Sequence, residues 1–302
     1  MKSRVFVVVV ALALVAAACD LVLGIRDYPL RDAGAVAVGD AGADGQGGCL
    51  DPSLGCGACP HDFCDDFDQA GQVPNSKWPG TFGLASPFLR GDAGVELGEG
   101  RSPPSALRVH ATSPTSTPSH AFLVRRLDGP DGGVALRFSF DARLDRLELL
   151  DTVGPVKDAG AVSIAAILSP VAGAPSGAAI VLSTDGLYLA VSDNVLDSPD
   201  ASILPFYQGS LAPLAGNWVR IEMFAGPAAE AARLGFARCA SLQGGVAAAR
   251  LTALGLSSCA PLPAALADLA WIRSPVILTG AFLFGQGRVE VRVDNVTADF
   301  VQ

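Results

Sequence analysis

The sequence predicts an all-β fold, a two-sheet antiparallel jelly-roll sandwich, from three observations. Roughly ten short apolar runs follow residue 63, each of a length typical of a strand. Several of these runs alternate apolar and polar residues, which is the pattern of a half-buried strand. Long helical patterns are scarce, and many short strands with few helices favour a sandwich.

Two segments show the alternation most clearly. In the first, four apolar residues share one strand face: Val134, Leu136, Phe138 and Phe140. In the second, residues 288–300, three valines share one face and charged residues lie opposite: Val289, Val291 and Val293. Gly, Pro and Asp fill gaps such as 128–133 and 184–186, which predicts turns there. The segments 227–232 and 263–271 are short, Ala-rich helix candidates.

The N-terminal residues 1–18 have the layout of a lipoprotein signal peptide. A basic start at Lys2 and Arg4 precedes an apolar run that ends in three alanines before Cys19. This ending resembles the bacterial lipobox, although Ala16 stands where that motif favours Leu. We therefore expect lipidation of Cys19 and anchoring to a membrane of the bacterial cell envelope, facing the periplasm or the exterior. The alternative is an ordinary signal peptide cut near Ala18.

The rest of the chain divides into three predicted parts. Residues 19–48 form a lipid-anchored flexible tether, because the segment 33–48 is low in complexity and has little to bury. Residues 49–62 are a Cys-rich segment, and residues 63–302 form the jelly-roll domain. No apolar run beyond the signal peptide is long enough to cross a bilayer as a helix.

Six cysteines remain after Cys19 is set aside, and an even number in an exported chain predicts disulfides. We expect Cys239 to pair with Cys259, and the other four to pair among themselves: Cys49, Cys56, Cys59 and Cys64. The alternative for this cluster is a zinc site that uses the Cys56–Cys59 spacing and His61. A thioredoxin-like use of these two cysteines would need a strand before them and a helix after them, and neither pattern is present.

The acidic composition disfavours one class of partner. The formal net charge is −9, and nucleic-acid binding depends on neutralising phosphates with Lys and Arg. We therefore expect no nucleic-acid partner.

Three segments together resemble a concanavalin A-like (laminin G-like) jelly roll. Residues 63–68 are similar to its acidic-aromatic opening strand, 217–222 to a middle strand with a buried Trp, and 288–300 to its closing strand. The resemblance spans about residues 63–302 and implies a lectin-like or glucanase-like sandwich. The segment between Cys239 and Cys259 departs from the family, where a short hairpin is usual.

The sequence lacks the catalytic motifs that would identify a hydrolase of this fold. The paired carboxylates that glycosidases of this fold carry on one strand are absent, and so is a Gly-x-Ser-x-Gly elbow. The sequence therefore predicts no catalytic residues and a non-enzymatic exported lipoprotein, a binding module for glycans or envelope proteins. The alternatives are a structural cell-envelope component and a divergent glycan-active enzyme that lacks the usual carboxylate motif.

Two sets of residues are candidate binding sites. Four carboxylates would meet if the first and last strands pair, and oxygen clusters suit a structural Ca²⁺: Asp65, Asp66, Asp68 and Asp294. Three aromatic residues are candidate glycan platforms: Trp78, Tyr188 and Tyr207. The competing interpretations are turn carboxylates and ordinary packing, and Trp218 is expected in the core. We expect no cofactor other than this Ca²⁺.

Overall fold

A computed structural model of the chain describes residues 61–68, 76–80, 86–102, 104–115, 117–130, 133–150, 160–170, 176–193, 202–212 and 214–301. The predicted signal peptide, the tether, and Cys19, Cys49, Cys56 and Cys59 lie outside the described residues. No described helix is long and apolar enough to span a membrane.

The described residues form 15 strands and one short α-helix. The strands are β1 (Phe63–Asp65), β2 (Phe88–Arg90), β3 (Asp92–Gly98), β4 (Ala106–Ser113), β5 (Ser119–Arg126), β6 (Ala135–Leu149), β7 (Ala161–Leu168), β8 (Gly177–Ser183), β9 (Gly186–Ser192), β10 (Ser202–Gln208), β11 (Val219–Pro227), β12 (Gly245–Leu251), β13 (Leu256–Pro261), β14 (Val276–Phe284) and β15 (Gly287–Val301). The helix α1 is Ala228–Arg233. The 3-10 helices are Ala237–Ser241, Thr252–Leu254, Ala264–Leu266 and Leu269–Arg273.

The strands form two antiparallel sheets, which confirms the predicted sandwich. The larger sheet has the order β13-β12-β11-β6-β15-β4-β3, and β1 also pairs with β15. The smaller sheet has the order β10-β9-β8-β7-β14-β5-β2. The first and last strands pair with each other, with Phe63 opposite Ala298 and Asp65 opposite Val296.

The main core lies between the two sheets and takes one face of each strand. On β6 the core-facing residues are Leu136, Phe138 and Phe140, in agreement with the alternation in the sequence. On β15 the valines at 289, 291 and 293 face the same core. Burial of these side chains stabilises the sandwich by about 25 cal/mol for each Å² removed from water.

The outer faces of the two sheets differ in character. The smaller sheet carries a second apolar cluster on its outer face, with Phe122, Leu278 and Phe282 all buried. The larger sheet is apolar there only at one end, where α1 and the segment after it cover Phe224. The disulfide between Cys239 and Cys259 joins the segment after α1 to β13. It confirms the predicted pairing of these two cysteines.

Candidate functional site

The outer face of the larger sheet carries polar side chains that are buried. We call this set the polar face: Arg137, Ser139, Asp141, Arg220, Glu222, Asp294, Asn295 and Thr297, each at most 8% exposed. All of these residues except Asn295 alternate with the core-facing residues of β6, β11 and β15, so the pleat directs them outward. A buried polar group costs free energy unless it is paired, and so the partners of each one matter.

Two carboxylates of the polar face are direct neighbours. Asp141 on β6 and Asp294 on β15 are register partners across the sheet. Side chains directly opposite in an antiparallel pair have Cβ atoms about 4.5–5.5 Å apart. Both residues are at most 3% exposed, so two acidic groups share a site that is largely shielded from water.

Asp141 is held by positive charge. Its Oδ1 accepts a hydrogen bond of 2.6 Å from Nη1 of Arg101, and Nη1 of Arg220 lies 3.6 Å from the same oxygen. Its Oδ2 accepts a 2.9 Å bond from the side-chain amide of Asn295. Two guanidinium groups and one amide therefore surround this carboxylate.

Asp294 has a different environment. Its Oδ2 accepts from the backbone N–H of Arg101 at 2.8 Å and of Ser102 at 2.9 Å, and its Oδ1 accepts from the N–H of Asn295 at 2.7 Å. Burial disfavours the charged form and raises the pKa of Asp294 to about 6, although these hydrogen bonds act in the opposite direction. A carboxyl group with a pKa near neutrality can both give and take a proton.

Asn295 connects the two carboxylates. It lies at a β-bulge, where the register with β6 shifts between Asp294 and Thr297. Its φ of 48° is in the left-handed region, which Asn tolerates better than most residues. The bulge lets the side chain of Asn295 reach Asp141 while its backbone N–H bonds Asp294. Bulges are common where a side chain must be redirected near a functional site.

Arg220 fills the centre of the polar face. Its Nη1 donates to the carbonyl oxygen of Asn295 at 2.7 Å, and its Nη2 lies 3.3 Å from Ser139 Oγ and 3.2 Å from Thr297 Oγ1. Desolvation lowers the pKa of Arg220, and the nearby Asp141 acts against that shift. The arginine therefore ties β11 to β6 and β15 beside the carboxylate pair.

Glu222, two residues after Arg220 on β11, has a structural role. It accepts hydrogen bonds from Arg250 at 3.0 and 2.8 Å, from Thr252 at 2.8 Å and from Arg137 at 3.2 Å. Burial alone raises the pKa of Glu222, but these cations and hydrogen bonds outweigh it and the net pKa is lowered. Arg137 lies on β6, Arg250 on β12 and Thr252 directly after β12, so Glu222 fastens β11 to both neighbouring strands.

The opposite end of the polar face is more open. Trp218, directly before β11, is half-buried, and the guanidinium of Arg143 lies 5.4 Å from its ring centroid. Asp145 accepts from Nε of Arg143 at 2.8 Å and from Nε of Arg292 at 2.6 Å. Although burial raises the pKa of Asp145, the two arginines lower it overall. The expectation that Trp218 is a core residue is wrong, because it lies on the outer side of the sheet.

The four carboxylates that the sequence proposed for calcium are bound to different groups. Asp65 accepts from Trp78 Nε1 at 2.6 Å and pairs with Lys77, and Asp68 accepts from the N–H of Ser105. Asp66 and Asp294 likewise have their own hydrogen bonds. Among the described residues, no three His, Cys, Asp or Glu side chains are grouped to hold a metal. The calcium site stays a prediction.

The three predicted aromatic platforms are placed differently from one another. Trp78 is 1% exposed and packs edge-on against Phe63, so it is a core residue and not an exposed platform. Tyr188 is also buried, and desolvation and Asp185 raise its pKa to about 12. Tyr207 is partly buried and its hydroxyl donates to the carbonyl oxygen of Ser210 at 2.7 Å.

The remaining predicted residues are cysteines and histidines. Cys64 forms a disulfide whose partner lies outside the described residues. His61 Nδ1 lies 2.9 Å from Asp299, and His120 is enclosed between the rings of Phe88 and Phe282. None of these groups lies on the polar face as defined above.

Sequence reasoning found Asp294 but missed Asp141, Arg220 and Asn295. The available signal was the polar half of the 135–141 alternation, which places Arg137, Ser139 and Asp141 on one face. That signal identifies a polar face of one strand. The pairing of β6 with β15 places Asp294 beside Asp141 on that face.

Comparisons with known proteins come from structure alone, since no protein-family model and no curated protein matches the sequence. The chain is similar to an endo-beta-1,4-glucuronan lyase from the fungus Trichoderma reesei, at 14% identity over 80% of this chain and 96% of that one, with a TM-score of 0.47. It is similar to alginate lyase vAL-1 from Chlorella virus, at 12% identity over 72% and 93% of the two chains, with a TM-score of 0.37. It is also similar to the binding domain of botulinum neurotoxin DC, solved with rat synaptotagmin II, at 11% identity over 74% and 45%, with a TM-score of 0.40.

These comparisons contradict the prediction of a non-enzymatic binding module. Matched proteins include glucuronan and alginate lyases, which are enzymes that act on polysaccharides. The prediction of no enzymatic activity is therefore withdrawn, and the alternative of a glycan-active enzyme is the one these matches favour for a proposal. At these identities the likeness assigns no residue a role, so the chemistry must come from the side chains of this chain.

Proposed function

We propose that this protein is a glycan-active enzyme that cleaves a polysaccharide at the Asp141–Asp294 pair. The observation that carries the proposal is the unequal environment of two adjacent carboxylates. The guanidinium groups of Arg101 and Arg220 lie 2.6 and 3.6 Å from Asp141. Asp294, in contrast, has no cation among the described donors of its hydrogen bonds, and burial raises its pKa to about 6. Two adjacent carboxyl groups in unlike environments are a common acid–base arrangement.

In this mechanism Asp294 is the proton carrier. In its protonated form it donates to the glycosidic oxygen as the bond from that oxygen to the anomeric carbon breaks; water then adds to that carbon and returns a proton to Asp294. The adjacent carboxyl group of Asp141 would lie beside the positive charge that develops on the sugar. Arg101 and Ser102 cover Asp294, and the Arg101 side chain is 47% exposed. The substrate must therefore displace this short segment to reach the carboxylates.

A degradation assay tests the proposal directly. The purified protein is incubated with glucuronan, alginate and a neutral β-1,4-glucan, and new chain ends are counted. We expect cleavage of at least one polymer and a loss of about 100-fold or more in the Asp294→Asn variant, the usual effect of removing a general acid or base. Asp92→Asn is the matched control, because Asp92 is exposed on β3.

The products separate two kinds of cleavage. Hydrolysis yields saturated ends, whereas elimination yields an unsaturated sugar that absorbs in the ultraviolet. A folded protein that cleaves none of the three polymers, or an Asp294→Asn variant as active as the wild type, would contradict the proposal.

We also propose that the protein is exported and anchored by lipid on Cys19 in a bacterial cell envelope. The Cys239–Cys259 disulfide supports export, because disulfides persist in oxidising compartments. The Cys19→Ala variant should be released from membranes or remain unprocessed, as fractionation would reveal. A variant that matures and stays membrane-bound would rule out this anchor.

A further inference from the structure

A cavity of about 290 Å³ lies beside the second half of β6, at one end of the sandwich. Its lining includes the charged residues Asp145 and Arg146 and the hydroxyl-bearing residues Thr184 and Ser210. Leu211 adds an apolar surface. Hydrogen-bonding groups around an apolar patch match a sugar ring, which has hydroxyls at its rim and C–H groups on its faces.

Asp145 is directed to this cavity by a bulge. The register between β6 and β15 pairs Arg146 with Glu290 and Leu144 with Val291, which leaves Asp145 as the extra residue. An extra residue in one strand redirects its side chain away from the regular pleat. The carboxylate of Asp145 is still 17% exposed after its bonds to Arg143 and Arg292. It therefore retains acceptor capacity for a ligand hydroxyl.

The cavity lies further along β6 than the Asp141–Asp294 pair. Asp141, Arg143 and Asp145 follow one another at alternate positions on β6, and four residues of strand span about 13 Å. Between the two ends lies the Trp218 ring, next to the guanidinium of Arg143. A polysaccharide lying along β6 would thus pass from Asp141 over this aromatic ring to the cavity.

We propose that the cavity is a saccharide-binding subsite that takes a neutral, hydroxyl-bearing sugar of the substrate chain. This inference rests on the proposed function, because it assumes that the cleaved linkage lies at Asp141 and Asp294. The carboxylate of Asp145 accepts hydroxyl hydrogens and would repel a sugar carboxylate at hydrogen-bond distance. The cations around the cavity are already paired, Arg143 and Arg292 with Asp145 and Arg146 with Glu148. The two hydroxyl side chains can donate or accept, which suits the ring of hydroxyls on a neutral sugar.

The test measures binding without cleavage. The Asp294→Asn protein is titrated with neutral β-1,4-linked tetrasaccharides of glucose, mannose and xylose, and with β-1,4-tetraglucuronate as the charged counterpart. Calorimetry or ligand-observed NMR gives each Kd. We expect at least one neutral tetrasaccharide to bind about tenfold or more tightly than tetraglucuronate, a difference of about 1.4 kcal/mol.

A variant that fills the cavity tests whether the tetrasaccharide binds there. Ala212 is exposed and lines the cavity, so Ala212→Trp should weaken the binding of the neutral tetrasaccharide at least tenfold. Ala265→Trp is the matched control, since Ala265 is exposed and does not line this cavity. Ser210→Ala is a milder second variant in case the bulky one misfolds, and it should weaken binding without changing the fold.

The outcomes separate the subsite from the proposed function. Binding that is sensitive to Ala212→Trp, in a protein that cleaves no polymer, would support the subsite and remove the function. Cleavage without any effect of Ala212→Trp or Ser210→Ala on tetrasaccharide affinity would remove the subsite alone. Failure of every neutral tetrasaccharide to bind, or preferred binding of tetraglucuronate, would also overturn the proposal.

Discussion

Asp141 and Asp294 lie directly opposite each other on β6 and β15, and Asn295 bonds both of them. Both carboxylates accept a hydrogen bond from Asn295, but their electrostatic surroundings differ. Asp141 lies beside two guanidinium groups, whereas Asp294 is bound mainly by backbone N–H groups of the segment that covers it.

The stability of the protein should depend on pH through Asp294. Its folded pKa of about 6 is above the ordinary value of 3.8, so folding favours its protonated form. The favourable contribution is therefore complete below pH 4 and is lost as the pH rises through 6. We expect the free energy of unfolding of wild type, relative to Asp294→Asn, to fall over this interval. Chemical denaturation of both proteins from pH 4 to 7 measures it, and a flat difference would show that Asp294 has an ordinary pKa.

Substitutions of Asn295 should separate backbone strain from the hydrogen bond to Asp141. Both Asn295→Gly and Asn295→Ala lose the side-chain amide, but only Gly adopts a φ of 48° without a Cβ penalty. We expect Asn295→Ala to be less stable than Asn295→Gly by about 1 kcal/mol, measured by denaturant unfolding. Equal stabilities would mean that the bulge relaxes. Both variants should lose cleavage activity to a similar extent, because both release Asp141.

Replacing His120 with Phe should make the protein more resistant to acid. Burial, together with the charge of Arg90, lowers the pKa of His120 to about 4, so the unfolded chain takes up its proton first on acidification. The wild type consequently loses stability as the pH falls from 6.5 to 4. In the described part of the chain neither ring nitrogen has a hydrogen-bond partner, so His120→Phe leaves nothing unsatisfied.

Melting temperatures at pH 5 and pH 7.5 check the His120 prediction. The gain of His120→Phe over wild type should be larger at pH 5. His110→Phe is the control, because His110 is only half-buried on β4. A gain that is equal at both pH values would indicate a packing effect alone.

Removal of the Cys239–Cys259 disulfide should destabilise the protein without affecting the carboxylate pair. The bond closes a loop of 20 residues, for which the loss of about 3 kcal/mol is typical. We expect the double variant Cys239→Ala/Cys259→Ala to unfold at lower denaturant and to keep its activity where it remains folded. A large loss of activity in the folded variant would show that the α1 cover also shapes the substrate site.

The sequence alone determined the class of fold and the Cys239–Cys259 disulfide. Alternation on β6 and β15 indicates which residues face a core, because side chains on a strand repeat their direction every two residues. The two isolated cysteines in the second half of the chain predict their own disulfide. Trp218 was misplaced because the resemblance implied a buried Trp, whereas the core-facing residues of β11 begin at Val219 and alternate from there. Only the tertiary structure brought Asp141 next to Asn295, across 154 residues of chain. Strand order and register decide such contacts, and they depend on the packing of all the strands at once.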